Sequence, residues 1–292
     1  KMKVKIKIDG RLYEVPNHYT VLDACNEANI EIPTLCFLKG LNETGACRMC
    51  VVEVEGARSL QASCVLKVRD GMSVKTNTKR VQQSRATTLE LILANHNREC
   101  LTCNRSGQCE LQDLADRLHV DYLNYDKFEK RKPIYDDSSF SIVRDQSKCI
   151  LCGRCIAACD KLAGVSVLTF INRGFHADVG TGFHYPLDDA GCLYCGQCVN
   201  VCPVGALKEK SHIERVWDAI NDPTKHVVMQ TAPAVRAAIG EEFGLPIGTR
   251  STGLMVAAIR RLGVDKVFDT NFTADLTILE EGYELLGRIQ NG

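Results

Sequence analysis

The sequence predicts an α+β protein built of several small domains in series, and three observations carry that expectation. Apolar residues alternate with lysines at the start, the apolar period turns helical after about residue 81, and 16 cysteines fall into blocks with gaps of two or three residues. The 292 residues are 45% hydrophobic, with 36 basic and 36 acidic side chains, enough for roughly two domains' worth of packed core. Zero net charge, with no run of Lys and Arg among aromatics, removes the electrostatic basis for nucleic-acid binding. No apolar stretch approaches the ~18 residues of a membrane span. The alternating start Lys3-Val4-Lys5-Ile6-Lys7-Ile8 lacks the apolar core of a signal peptide. A reducing cytoplasm is therefore expected, where clustered cysteines serve as metal ligands more often than as disulfides.

Residues 1–80 read as a β-rich domain. Val4, Ile6 and Ile8 face one way, Asp9-Gly10 turns the chain, and Leu12 to Val15 returns it as a hairpin. Thr20 caps a short helix with Asp23 three residues on, and Leu22, Cys25 and Ala28 share its apolar face. After a loop carrying Cys36, Cys47 and Cys50, Val51 to Glu55 forms a strand and Gly56 a turn, an order that suggests a β-grasp arrangement. Residues 81–125 turn helical: Leu89, Ile92, Leu93 and His96 lie on one stripe, and Leu111, Leu114, Ala115 and Leu118 on a second helix. Residues 126–141 read as a linker, and 142–212 contain an internal repeat of cysteine blocks. From 213 the pattern is that of an α/β unit. A strand at Val227–Met229 leads to helices over Pro233–Phe243 and Gly253–Leu262, a strand at Lys266–Phe268, and a last helix over Ala274–Ile289. Two strands are too few to close a sheet, so further chain or a partner is expected to complete it.

The repeat Cys149-x2-Cys152-x2-Cys155-x3-Cys159 and Cys192-x2-Cys195-x2-Cys198-x3-Cys202-Pro203 is the strongest chemical signal. Three thiolates in one tight loop reach three corners of a cubane, and the fourth, carried onto the next turn, reaches the neighbouring one. That logic assigns Cys149, Cys152, Cys155 and Cys202 to one [4Fe-4S] cluster and Cys192, Cys195, Cys198 and Cys159 to another. Gly153 and Gly196 stand where a side chain would crowd the cluster and a positive φ is wanted. Structural zinc, the competing metal, prefers two Cys pairs separated by a longer finger. The block Cys36-x10-Cys47-x2-Cys50-x13-Cys64 has a spacing like that of plant-type [2Fe-2S] ligation with a longer first gap, and Gly45 and Ala46 leave room for backbone N–H groups near the sulfides. Zinc competes here too, and the β-grasp reading around the block favours iron. In the third block, His96-x3-Cys100-x2-Cys103-x5-Cys109, a histidine on an apolar stripe is usually a core residue, yet three thiolates leave one corner open. A [4Fe-4S] cluster held by one His and three Cys completes it, and the neutral imidazole implies a higher potential than four thiolates would give. Only Cys25 is left over, as an inert core thiol. Loaded with four clusters, the chain would carry about −7 and favour partners with basic rims.

Four clusters serve as a series of one-electron stations. No G-x-G-x-x-G fingerprint is present for flavin or nicotinamide, which is expected on another subunit. In this order the blocks resemble the large iron-sulfur subunit of respiratory complex I. The tail resembles the opening of the catalytic domain of [FeFe] (iron-only) hydrogenases of the multi-subunit, NAD(P)-linked, electron-bifurcating type. That second resemblance rests on Thr231-Ala232-Pro233-Ala234-Val235-Arg236, Gly240 to Gly244, Lys266 to Asn271, Ala274-Asp275-Leu276 and Glu280-Glu281-Gly282. Together the two cover the whole chain.

The resemblance implies an H-cluster, at which protons, electrons and hydrogen interconvert. It places Ala232-Pro233-Ala234 against the diiron site and gives Glu281, Glu284 and Arg288 to a proton path. Those three fall at i, i+3 and i+7 on one helix face, a pattern that a merely solvated charged face would share. The family's Cys-Cys-Pro segment, which holds the H-cluster, does not occur before Gly292, so either the chain is part of a longer subunit that holds that cluster or it is a relay-only paralogue, and Lys1 ahead of Met2 favours the first. Implied partners are a flavin- and NAD(P)-binding subunit and a small [2Fe-2S] subunit, with ferredoxin a further candidate, in a hetero-oligomer. The alternatives are the relay subunit of an NAD-linked formate dehydrogenase or of a complex I-like enzyme, and, outside enzymes, a structural zinc scaffold.

Overall fold

The computed structural model describes residues 2–120, 124–125 and 134–291. These form two compact units, Lys1–Lys210 and Ser211–Gly292. In the first unit, strands β1 (Lys3–Ile8) and β2 (Arg11–Pro16) pair antiparallel about Asp9 and Gly10, whose φ values of +47° and +88° suit a two-residue hairpin turn. Ile6 and Ile8 are buried while Lys3, Lys5 and Lys7 are exposed, as the alternation requires. Helix α1 (Val21–Glu27) opens on a complete capping box: Asp23 N–H donates to Thr20 Oγ1 (3.1 Å) and Thr20 N–H to Asp23 Oδ2 (3.0 Å). Strands β3 (Val51–Val54), β4 (Gln61–Ala62) and β5 (Ser73–Lys75) complete a five-stranded sheet of order β2-β1-β5-β3-β4, in which β1 and β5 run parallel. This is the β-grasp pattern, and its core holds Ile6, Ile8, Val15, Leu22, Cys25, Val52 and Val74.

Helix α2 (Lys79–Asn95) starts at Thr78, whose hydroxyl accepts from Val81 N–H, and buries Val81, Arg85, Leu89 and Leu93 at four-residue intervals. A 3-10 turn at Cys100–Thr102 and helix α3 (Glu110–Arg117) follow, the latter buried through Leu111 and Leu114. Residues 126–133 of the expected linker lie outside the described residues. Its later part is built into the fold: strand β6 (Tyr135–Asp136) pairs with β7 (Ile142–Asp145), which carries β10 (Leu207–Glu209) on its other edge. Between them lie helix α4 (Arg154–Lys161), the hairpin of β8 (Leu168–Ile171) with β9 (Asp178–Thr181), and helix α5 (Gln197–Asn200). One core runs through Leu35 and Met49 of the first cysteine loop, Leu89 and Leu93 of α2, Leu111 of α3, and Ile142, Leu168 and Val204. Within the first unit, the cysteine-bearing segments thus share apolar packing.

The second unit contains helix α6 (Ile213–Asn221), strand β11 (Val228–Thr231), helices α7 (Val235–Ala238) and α8 (Thr252–Arg261), strand β12 (Lys266–Asp269) and helix α9 (Thr270–Asn291). β11 and β12 pair parallel, Val228 opposite Lys266, with the helical crossover that a parallel pair needs. The helix expected over Pro233–Phe243 is broken. α7 ends at Ala238 and a 3-10 turn covers Glu241–Phe243, because Leu245 folds back onto Gly240, where a Cβ would stand 3.2 Å from Leu245 Cδ1. Helix α9 begins four residues earlier than Ala274, since Asp269 Oδ1 accepts from Asn271 N–H (3.0 Å) and settles the first turn.

Candidate metal centres

The first cysteine group comes from the loop between α1 and β3, which carries Cys36, Cys47 and Cys50, and from the segment just after β4, which carries Cys64. Cys36, Cys50 and Cys64 are each 1% exposed, and Cys47 is half-buried. Cys50 Sγ lies 3.3 Å from Cys64 Sγ, and Cys47 N–H points at Cys36 Sγ from 3.5 Å. The Cys47 thiol, with the N–H groups of Cys47 and Ala46 and the Thr44 hydroxyl, outweighs burial and draws Cys36 down to about 5. The Cys64 thiol likewise draws Cys50 down to about 6, while Cys47 and Cys64 are pushed up by their partners and by burial. The four sulfurs thus form two hydrogen-bonded pairs in a buried space, where a cationic centre would favour the ionised form of each. Gly45 has φ +64°, and a Cβ there would meet Val65 Cγ2 at 3.2 Å, so the tight loop requires glycine.

In the second group, His96 caps the C-terminus of α2 in an extended conformation and is 7% exposed. Burial pulls its imidazole down to about 4, against a hydrogen bond to the Lys148 backbone that favours the charged form, and Nδ1 is buried without a partner. A neutral ring with one unengaged lone pair has the chemistry of a metal ligand. Cys109 caps α3 with the N–H groups of Leu111 and Gln112 directed at its sulfur, and feels the charges of Cys103 and Cys100. Cys103 packs on Gly205, where a Cβ would stand 2.6 Å from its Sγ and 3.5 Å from Lys148 Cδ. The same lysine therefore flanks both His96 and Cys103.

The third and fourth groups repeat one local geometry. Leu151 N–H lies 3.4 Å from Cys149 Sγ, and Tyr194 N–H lies 3.4 Å from Cys192 Sγ. Leu151 and Tyr194 have φ +56° and +54°, followed by Gly153 at +78° and Gly196 at +74° capping α4 and α5. Non-glycine residues in this left-handed region are strained, and here the strain turns N–H groups toward sulfur. The side chain that would crowd a Cβ at Gly153 is Phe170 (Cζ at 3.3 Å), whereas Gly196 has nothing within 4 Å.

Two cavities are lined by these sulfurs in crossed combination. Cys149, Cys152, Cys155 and Cys202 line one, with Ile150, Leu168, Val179 and Val204; Cys192, Cys195, Cys198 and Cys159 line the other, with Ile142, Val165, Leu187 and Leu193. Burial raises Cys152 to about 12, and repulsion from Cys202 and Cys149 adds to it; Cys198 also rises to about 12, from burial and then Cys192, Cys159 and Cys195. Cys195 is the exposed member. Apolar hollows lined by four thiols each, whose ionised forms need positive charge beside them, fit iron–sulfur clusters. Among the described residues, no three His, Cys, Asp or Glu side chains converge as a single metal ion would demand.

The groups are tied together. Asn42, 4% exposed, donates through Nδ2 to Cys36 O (2.8 Å) and Cys152 O (3.0 Å), and Arg105 Nη2 donates to Cys202 O (2.6 Å). Arg154, at the start of α4, forms a two-pronged pair with Glu110 of α3 (2.6 and 2.8 Å). Neither Asn42 nor Arg154 carried a sequence signal, since both act across distant segments.

In the second unit, Ala232-Pro233-Ala234 forms the exposed turn at the C-terminal end of β11, the usual ligand edge of parallel strands. Arg236 Nη2 beside it pairs with Asp269 Oδ1 at the end of β12 (2.9 Å). Glu281, Glu284 and Arg288 are exposed on α9, and Arg288 bonds to Glu284 one turn away.

A β-grasp domain, a histidine-and-cysteine loop and a doubled cysteine block define an iron–sulfur protein of the electron-carrying class. The chain belongs to the iron-only [FeFe] hydrogenase family, in the type whose N-terminal portion is shared with complex I. Family descriptions match in series: "2Fe-2S iron-sulfur cluster binding domain" over 1–79, "NADH-ubiquinone oxidoreductase-G iron-sulfur binding region" over 85–123, "NADH-quinone oxidoreductase subunit 3, ferredoxin-like domain" over 140–208, and "Iron only hydrogenase large subunit, C-terminal domain" over 225–292. The chain is 50% identical to NADP-reducing hydrogenase subunit HndD of Solidesulfovibrio fructosivorans, over 97% of this chain and 49% of that one. It is 42% identical to Iron hydrogenase 1 of Clostridium pasteurianum, over 98% and 50% respectively, so it spans about half the length of these relatives. An NADH-quinone oxidoreductase component of Rhizobium meliloti (strain 1021) is 37% identical over 76% of this chain and 26% of its own. Among solved structures, an NAD+-reducing [NiFe]-hydrogenase in the H2-reduced state contains a chain similar at TM-score 0.66 and 32% identity, over 71% of this chain and 88% of that one.

Proposed function

We propose that this chain is the electron-relay portion of an [FeFe] hydrogenase subunit, passing electrons between a flavin- and NAD(P)-binding partner and an H-cluster held by a longer subunit. The observation that carries it is the pair of cavities, each lined by three cysteines of one block and the outlying cysteine of the other. The reading assigns one [2Fe-2S] cluster to Cys36, Cys47, Cys50 and Cys64, and [4Fe-4S] clusters to His96 with Cys100, Cys103 and Cys109 and to the two crossed sets. When bound, these clusters supply one-electron redox steps. The chain's own residues exclude water around them, aim N–H groups at sulfur and hold the ligand loops in register through Asn42, Arg105 and Arg154. The domain division at 1–80, 81–125, 126–141, 142–212 and 213–292 goes with it.

The tail favours a hydrogenase over a complex I-like or formate-linked relay, because residues 225–292 match the iron-only hydrogenase description. Under the same reading, Ala232, Pro233 and Ala234 lie against the diiron site and Glu281, Glu284 and Arg288 carry protons. A small [2Fe-2S] subunit and ferredoxin are further partners in a hetero-oligomer, and the setting is cytoplasmic; among the described residues no helix is long and apolar enough to cross a membrane. Crossed ligation supplies the test. Cys159→Ala should abolish the EPR signal of the Cys192 block and spare that of the Cys149 block, and Cys202→Ala should do the reverse. The opposite pattern would refute the assignment.

A further inference from the structure

Arg85 lies on the buried stripe of α2 between Val81 and Leu89 and is 6% exposed. Its Nη2 donates to Val51 O (2.8 Å), the carbonyl next in sequence to Cys50, while Nε is buried with no partner. A guanidinium stays charged in any protein environment, so this one needs a counter-charge. Among the described residues no carboxylate comes within 4.0 Å of it. Asp9 lines the same polar cavity, where its oxygens accept from Thr76 N–H (2.7 Å) and Thr76 Oγ1 (2.5 Å), and it forms no ion pair with Arg85. Arg117, a further neighbour, is itself a cation and pairs with Glu31. Two sulfurs remain. Burial pushes Cys25 up to about 12, which leaves it a neutral thiol, and Cys50 is the other.

We propose that Arg85 is the buried counter-charge of the Cys36, Cys47, Cys50 and Cys64 centre, a positioning residue that raises the midpoint of the cluster held there. The proposal rests on reading that centre as [2Fe-2S]. Four thiolates around an oxidised [2Fe-2S] core sum to about −2, and one added electron makes about −3. A fixed positive charge within the same low-dielectric space favours the more negative, reduced form. The bond to Val51 O keeps the guanidinium one residue from a ligand, and α2 carries it there from outside the β-grasp sheet.

The test is an anaerobic titration of the full, cluster-loaded chain with dithionite, one electron per [2Fe-2S], followed by the EPR signal of that cluster. Three variants separate charge from shape: Arg85→Gln keeps an N–H donor for Val51 O without the charge, Arg85→Met keeps neither, and Arg85→Lys keeps the charge. At the wild-type midpoint, the ratio of reduced to oxidised cluster should fall about tenfold in the Gln and Met chains, about 59 mV for a one-electron couple. The Lys chain should stay within about twofold. Gln and Met chains titrating with the wild type, or a Lys chain displaced as far as Met, would overturn the proposal. Failure of Gln and Met to load while Lys loads expresses the same charge requirement, whereas failure of all three marks Arg85 as purely structural and overturns it. Absence of any [2Fe-2S] signal in the wild type would sink the reading of the centre and the proposal with it, and a wild-type signal beside unmoved variants would sink the proposal alone.

Discussion

Asn42→Leu tests how the first cysteine loop is held against the doubled block. Asn42 is 4% exposed and its Nδ2 makes both bonds, to Cys36 O at 2.8 Å and to Cys152 O at 3.0 Å. Leucine fills similar space but leaves two buried carbonyls without a donor. A net hydrogen bond is worth about 1 kcal/mol, and an unpaired buried acceptor costs more, so the pair amounts to about 3 kcal/mol. For a unit of this size each kcal/mol moves Tm by about 2–4 °C, giving a fall of roughly 6–12 °C. Anaerobic calorimetry of the loaded chain at one scan rate reads it. Asn42→Asp keeps the shape but offers no donor, and should lose at least as much. Because the bonded carbonyls belong to candidate ligands of two centres, electron equilibration between those centres, followed by freeze-quench EPR, should slow in both variants. A Tm within about 2 °C of wild type in both would refute the claim that this amide bridges the two segments.

Other expectations follow the same physics. Gly196→Ala carries only the left-handed φ and should cost ~1–2 kcal/mol; Gly153→Ala also meets Phe170 at 3.3 Å and should cost more, the excess shrinking in a double-mutant cycle with Phe170→Leu. Burial works to raise the Asp136 carboxyl, but the Ser138 hydroxyl and N–H, the Leu187 N–H and Arg144 outweigh it and hold it below the usual range. Its stabilisation is present above the unfolded value near ~3.9 and is lost as pH falls through the lower folded value, so the Tm of wild type and Asp136→Asn should converge below about pH 4. Removing the other member, Arg144→Leu, strands that buried carboxylate and should cost about 3–5 kcal/mol in urea unfolding at pH 7. His96→Cys should lower the midpoint of its cluster, and an unchanged or raised midpoint would deny that His96 is a ligand. Cys25→Ala should leave the iron content unchanged, since Cys25 is 0% exposed within the β-grasp core.

Local chemistry was legible in the sequence and distant packing was not. The Asp9-Gly10 hairpin and the Thr20–Asp23 capping box each depend on residues a few positions apart, and the structure has both. The break at Gly240 was hidden because Leu245, which folds back onto it, lies beyond Pro233–Phe243. Tyr135–Asp136 looked like spacer because the strand depends on β7 and on the buried Arg144, neither visible from a polar stretch. Leu151 and Tyr194 in left-handed conformations contradict their propensities, and only the cysteine loops explain them. Arg85 could have been found: a charged residue at the i+4 position between Val81 and Leu89 breaks the apolar stripe and asks for a counter-charge. Asn42 and Arg105 could not, since their partners lie 110 and 97 residues away.

Metal and acid-labile sulfide analysis of anaerobically purified chain tests the central claim most directly. One [2Fe-2S] and three [4Fe-4S] centres predict about fourteen iron and about fourteen sulfide per chain, with negligible zinc. About four zinc, with no labile sulfide, would contradict it.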